Sequence, residues 1–463
     1  MIIDYSSVSS ERDITADIAI VGAGVVGIAL ARELSESSLS VALLESGGFE
    51  QDEHSRALNE GDVTGVQYPL LTDTRARCLG GSSSRWGGWC CPLDPADFEP
   101  KAWVKLSGWP LSYSDLQVYY ELAHKFLGLP VSNYSTDYWA EQTLLPPLPL
   151  ATNDVSTIIH QVCGPLNVGI RYRSMLSSSQ NIVAHLHATA LHLQSSNDKK
   201  QIIWANVALG SGNQVRLHAK RFVLAGGGIE NARLLLLSEV GGQAVGRYFC
   251  EHPHLRTSGI SNISERFDLR LYQEAIYGSS AGKGCIIGAL HIPEETRKRE
   301  QLSNTKLFLD LDGNGSNSAD LVTVWEQVPS PLSRITLSNK KDRFGKRLPR
   351  LHWELTEEDW RTVEQSSDLF RIALEDAGIG KVEPTSVPVA ALVGGIGPGH
   401  HHLGTTRMSA TAAVGVVDST CRVHGIDNLY IAGTSVFPTG GHAPPTLTVI
   451  ALALRLAEHL ISS

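Results

Sequence analysis

The sequence predicts an α/β domain combined with a β-rich domain, and two observations carry that expectation. The first is local. Asp17-Ile18-Ala19-Ile20-Val21 is a short apolar run that enters Gly22-Ala23-Gly24-Val25-Val26-Gly27 directly. A helical pattern follows from Ile28 to Leu34, then a second apolar run, Ser40 to Leu44, ending in Glu45. Strand, GxGxxG, helix, strand and acid in that order are the parts of a Rossmann-like dinucleotide-binding unit. The second observation is a change of texture. From about Pro253 to Val393 the chain turns polar and strand-like and carries no glycine fingerprint.

Each part of the first unit has a physical purpose. Gly22 allows the tight turn, Gly24 lets a pyrophosphate approach the backbone, and Gly27 lets helix and sheet pack closely. The helix N-terminus favours phosphate charge, and Glu45 can accept from a ribose hydroxyl. Arg77-Cys78-Leu79-Gly80-Gly81-Ser82-Ser83-Ser84-Arg85-Trp86-Gly87-Gly88 is a second glycine/serine loop. Its N–H groups and small hydroxyls suit a flat cofactor or a phosphate, with Gly80, Gly81, Ser82, Ser83, Arg85 and Trp86 as the contacts. Gly108 to Gly128 reads as a Pro-marked turn and a helix capped by Ser112 or Ser114, and Asn181 to Gln194 as one alternating strand.

Arg221 to Gly228 is a further strand entering glycines, with Ala225 and Gly226 at its end, and a leucine helix follows. This return to the first domain suits FAD better than NAD, because an extended FAD needs several separated segments to hold it. Within the β-rich span, Ser333–Leu337 and Leu351–Leu355 read as strands. Thr356 to Gly378 reads as a helix capped by Thr356.

Composition narrows the class. A chain of 463 residues, 42% apolar and 19% charged, is globular and long enough for two domains. The net charge of -9 offers no basic block for nucleic acid. Seven cysteines form no CxxC pair, which suits a reducing compartment. The N-terminus lacks a signal-peptide pattern, and the apolar run near the C-terminus is too short to span a bilayer and is broken by Arg455. The expectation is a cytoplasmic protein without a membrane span.

From Gly399 to Thr448 the chain packs three adjacent histidines, His400, His401 and His402, into a loop followed by Gly404-Thr405, and later GTSVFPTGGHAPPTLT before an apolar helix. Together with the N-terminal GxGxxG and Glu45, RCLGGSSSRW, GWPLSYSDL, VLAGGGIENARLLL, GRYFCEHPH and HHLGTTRM, this order of motifs resembles the glucose–methanol–choline (GMC) flavin oxidoreductases along nearly the whole chain. The short chain looks most like the bacterial sugar, polyol and secondary-metabolite branch, which includes pyranose-oxidase-like members.

The resemblance implies a division into residues 1–252 for FAD binding, 253–393 for a substrate-binding sheet, and 394–463 as a return to the FAD domain. It implies oxidation of a CH–OH group on a sugar, cyclitol or natural-product alcohol, with hydride passing to flavin N5 and a histidine taking the hydroxyl proton. By the family's HxxGT pattern that histidine is His401, with His400 and His402 as flanking alternatives. The family's second active-site His or Asn falls on Pro444, which has no side-chain donor or acceptor. His442 lies two residues earlier and could reach the same space, or be merely a loop histidine.

Where some relatives attach FAD through a histidine this chain has Arg85, so FAD is expected to be non-covalent. The resemblance further places Gly433 and Thr434 near the pyrophosphate, Pro445 and Thr446 near the flavin pyrimidine edge, and Thr189 and Ala190 near the adenine side. His252 and His254 lack a third metal ligand, and no metal is expected. The expected partners are a small-molecule alcohol and an electron acceptor, with oxygen, a quinone and a carrier protein all open. The alternative is a redox-neutral, lyase-like flavoprotein in which FAD is structural.

Overall fold

The computed structural model describes the chain except residues 9, 11, 165, 211, 280–281, 312–316 and 384–388. Its first sheet runs in the order Ile2–Asp4, Ile182–Leu186, Val41–Leu44, Ile14–Val21, Gln214–Leu224, Ile202–Leu209, Ala188–Ser195. The first five are mutually parallel and the last two join antiparallel. Leu429–Ile431 adds a parallel partner at the end of Gln214–Leu224. The expected first strand begins three residues early, at Ile14, because Leu217–Ala219 reach back to pair with Ile14–Ala16.

Val25–Leu34 is the crossover helix, and it buries Ile28, Ala29, Leu30 and Ala31 completely. Thr446–Ser462 packs on it and on Ser114–Leu127, so the end of the chain closes over its beginning. Apolar residues on most faces of that closing helix match burial between layers rather than at a surface. Gly227–Ser238 is the second glycine-led helix.

The second sheet is antiparallel, in the order Lys381–Val382, His254–Ser261, Ala319–Trp325, Thr305–Leu311, Gly282–His291, Ser156–Val162, Trp89–Cys90, with Ala275–Ser279 beside Gly282–His291. It has its own core around Trp139, Leu290, Leu307 and Phe370. Two of its strands come from upstream of residue 253. The hairpin Arg334–Lys341 and Arg347–Trp353 instead pairs with Asp62–Gly65 and packs on Gly227–Ser238. The boundary at 252/253 therefore does not separate the two sheets. Strand pairing at such distances leaves no local signal in the chain.

Two local expectations change. Asn181 to Gln194 is two strands, broken at His187 (φ 52°), whose Nδ1 lies 2.7 Å from the Asp4 carboxylate. One half pairs parallel with the first sheet and the other antiparallel. The helix expected to be capped by Ser112 or Ser114 has Tyr113 at that position. Ser112 donates its backbone N–H and its hydroxyl to Asp115 at 2.8 and 2.7 Å, taking up the first turn's carboxylate from outside the helix. Thr356 does cap Glu357–Asp376, accepting from the Asp359 N–H in a reciprocal capping box.

Candidate active site

The glycine cradle is built by contacts too close for any side chain. A Cβ on Gly27 would lie 1.9 Å from the Gly22 carbonyl oxygen, and one on Gly22 (φ 110°) 2.6 Å from the Ala225 carbonyl oxygen. Gly24 is the opposite case, with nothing within 4 Å of its Cβ direction, at the N-terminus of a helix that has no side-chain cap. That is an open approach to uncapped N–H groups, which suits a pyrophosphate. Gly80 donates its N–H to the Ala23 carbonyl at 2.8 Å, and a Cβ on Gly81 would meet Gly24 Cα at 2.9 Å. The second glycine loop thus lies directly on the first.

Around this cradle the other cofactor residues divide. Ser83 is buried, donating to the Gly80 carbonyl at 2.6 Å and accepting from Val168 N–H, and Trp86 donates to the Leu166 carbonyl. Ser82 and Arg85 are exposed. Glu45 is turned inward. Its carboxylate accepts from Ala23 N–H (3.1 Å) and Gly47 N–H (3.0 Å), and burial raises its pKa. It braces the glycine turn, and each oxygen keeps a lone pair that a ribose hydroxyl could share. Thr189 and Ala190 are half-buried on the strand Ala188–Ser195, at the antiparallel edge of the sheet.

The C-terminal loop is tied to the second glycine turn. Asn231 accepts from Gly226 N–H at 2.8 Å and donates to Ser435 Oγ at 3.1 Å, and Thr406 donates to the same Oγ at 2.7 Å. Thr434 donates to the His402 carbonyl at 2.8 Å, and Thr405 to that of Gly228. Ala225 is buried at the strand end, while Gly226 is exposed beside the buried Gly433 (φ 149°) loop. Pro445 precedes the closing helix, which begins at Thr446 without a side-chain cap, so another set of N–H groups is unclaimed by a cap. These uncapped termini and the open Gly24 cradle fit an extended, phosphate-bearing cofactor.

The histidine run is pulled apart by its backbone. His400 takes φ 58° and is exposed. His402 is buried against Tyr68 and Phe249, its Nε2 has no partner, and burial pushes its pKa down to about 3. His401 is half-buried. Its backbone N–H donates to Glu251 Oε2 at 2.8 Å, and its Nδ1 lies 2.9 Å from His252 Nδ1. Among the described residues its only side-chain hydrogen bond is this one at Nδ1. Burial, followed by His252, His254 and Lys306, holds its pKa well below the usual imidazole range. Burial likewise holds His252 at about 4. Both rings are neutral at ordinary pH.

His442 is not brought to His401. Its ring sits 4.9 Å from that of His291, its Nε2 is 3.4 Å from Asp94, and its carbonyl accepts from Lys306 Nζ at 2.7 Å. Pro444 is buried. The imidazole that meets His401 belongs to His252, which the sequence offered only as half of a metal pair lacking a third ligand. The EHPH spacing names that histidine, but its partner is 149 residues away. Asp94, Asp97 and His442 place ligand-type atoms within 4.8 Å of one another, with Lys101 at 3.3 Å and Arg297 at 3.8 Å already countering Asp97.

The glycine cradle suits the phosphates of a dinucleotide, and His401 with His252 forms a neutral histidine pair. Residues 329–453 match the family model of the GMC oxidoreductases. The chain is 23% identical over 535 aligned positions to the 2-methyl-1,2-propanediol dehydrogenase of Mycolicibacterium austroafricanum, covering 96% of this chain and 95% of the relative. It is 24% identical over 518 to the 6'''-hydroxyparomomycin C oxidase of Streptomyces lividus, covering 96% and 91%. Among solved structures, a formate oxidase of Aspergillus oryzae, studied for FAD modification, superposes with a TM-score of 0.60 at 16% identity, covering 97% of this chain and 99% of that one.

Proposed function

We propose that this chain binds FAD non-covalently and oxidises the CH–OH group of a small alcohol, of the sugar, cyclitol or natural-product class, with His401 as the base. The single observation that carries the reading is the state of His401. Of the three adjacent histidines it alone is half-buried with its ring hydrogen-bonded among the described residues, and that bond is at Nδ1 only. Relatives named for a diol and for an aminoglycoside support the substrate class.

Gly22, Gly24 and Gly27, with Gly80, Gly81 and the uncapped helix N-terminus, would hold the pyrophosphate. Gly226, Gly433 and Thr434 would continue that contact, and Pro445 and Thr446 would face the pyrimidine edge. FAD, when bound, supplies a two-electron acceptor for the hydride. His401 Nε2 accepts the hydroxyl proton as the C–H bond is lost, and so keeps a full alkoxide from forming in a buried site. Because burial and His252 hold the ring neutral, no prior deprotonation is needed at pH 7. Arg85 leaves no imidazole at the family's attachment position.

The test is anaerobic bleaching of the flavin band by a panel of sugars, cyclitols and aminoglycoside-like alcohols. His401→Asn should slow the bleaching about 10²–10⁴-fold with the flavin still bound. In the wild type the bleaching rate should be flat above neutrality and fall only in acid, where the lowered His401 pKa is finally crossed. A tightly held flavin that no alcohol reduces would favour redox-neutral chemistry instead.

A further inference from the structure

We infer that His252 is a positioning residue that locks His401 in its Nδ1–H tautomer, so that Nε2 carries the lone pair that accepts the proton. The inference rests on the reading of His401 as the base, and it follows from hydrogen-bond directions along a three-member chain.

The chain starts at Gly441. A carbonyl oxygen can only accept, so His252 Nε2, 2.8 Å from it, must carry a hydrogen and donate. A neutral imidazole has one N–H, so His252 Nδ1 is left with a lone pair. His401 Nδ1 lies 2.9 Å from that lone pair, and two facing nitrogens at this distance share one proton. The proton must therefore belong to His401 Nδ1. A neutral His401 then has its lone pair on Nε2, since the only side-chain hydrogen bond of His401 among the described residues is the one at Nδ1.

The surroundings hold this order in place. Glu251 Oε2 accepts both the His401 and the His252 backbone N–H, at 2.8 and 3.3 Å, while Tyr68 donates its hydroxyl to Oε1. The two rings meet edge to face at 83°, with centroids 5.1 Å apart. Gly441 is fixed in turn. Its N–H donates to Glu326 at 2.8 Å, the next carbonyl accepts from Lys306, and at φ 62° a Cβ would strike Leu93 and Asp97.

The charge pattern explains what a neutral partner achieves. The largest charge effects on the His401 ring come from His252, His254, Lys306 and His402, and none of these is an anion; the Glu251 carboxyl, raised to about 7 by burial, meets the His401 backbone N–H and not the ring. A carboxylate against Nδ1 would fix the same tautomer but would also raise the basicity of the ring and hold it charged. His252 orients the proton without doing that. When the substrate hydroxyl proton arrives at Nε2, His401 becomes a cation and its Nδ1–H bond to His252 becomes charge-assisted. One proton is gained at Nε2, and none needs to cross to His252.

The test is nitrogen-15 NMR of the histidine-labelled holoenzyme at neutral pH, with the His401 signals assigned by their loss in His401→Asn. The expected wild-type pattern is a protonated Nδ1 and an unprotonated Nε2. His252→Asn places an amide oxygen near the old Nδ1 and should keep that pattern. His252→Leu removes the acceptor, so an Nε2–H form should appear, with flavin reduction at least about tenfold slower and a substrate KM little changed. A wild-type His401 protonated on Nε2, or a His252→Leu enzyme with unchanged tautomer and rate, overturns the inference. Should His252→Leu fail to fold, the wild-type and His252→Asn spectra decide alone. If His401→Asn leaves alcohol-driven reduction intact, the base assignment fails, while the tautomer measured in the spectrum still stands or falls separately.

Discussion

A side chain that takes a proton at neutral pH must be uncharged and must present a lone pair, and the neighbours of His401 arrange both. Burial and the surrounding histidines keep it neutral, while the Glu251 bonds to backbone N–H groups aim the ring. His442 lies elsewhere, its ring 4.9 Å from that of His291 and its Nε2 3.4 Å from Asp94. His442→Gln is therefore expected to slow alcohol-driven flavin reduction far less than His401→Asn does. Rapid-mixing kinetics would check this, and equal losses in the two variants would put His442 in the proton transfer. At this scale the chain was half legible. The HxxGT pattern pointed to His401, but nothing near His252 announced a partner in another loop.

Among the elements, two of the three glycines of the first turn, Gly24 and Gly27, act through different physics, and substitution separates them. Gly24→Ala meets open space at φ -74°, so the fold should hold while FAD affinity falls, measurable as flavin lost on dialysis. Gly27→Ala drives a methyl group into the Gly22 carbonyl and should cost about 1–3 kcal/mol or more in denaturant unfolding. Thr356→Ala removes one side of the capping box and should cost about 1 kcal/mol. Elements of this kind were readable because their causes are local: a glycine turn, a cap, a helical period. The break at His187 was not readable. Its two halves differ only in the direction of the strands they pair with.

For the whole molecule, the buried histidines set the response to acid. Burial pushes His124, His185 and His252 down to about 4, and His254 and His402 to about 3. A histidine that is harder to protonate folded than unfolded binds fewer protons in the folded state. Stability is therefore lost as pH falls below about 6.5, the unfolded value. Glu251 and Asp359, raised to about 7 by burial, act oppositely, because the folded state holds their protons over the range from 7 down to the ordinary carboxylate values. These rings, together with His160, His291 and His401, which burial lowers in the same way, outnumber Glu251, Asp359 and Glu45, so the thermal midpoint should drop between pH 6.5 and 5. Scanning fluorimetry across that range would check the sign, and a midpoint that rises in acid would refute it.

What the sequence determined by itself was the first βαβ unit with its close-packed glycine turn, the second glycine loop and the cap at Thr356, each set by residues within a few positions of one another. Tertiary structure decided the rest. It drew Ser156–Val162 and Trp89–Cys90 into the second sheet, turned Glu45 onto the glycine turn, sent His442 to Asp94 and placed His252 against His401. Each of these depends on segments far apart in the chain meeting in space, and no spacing within one segment encodes such a meeting.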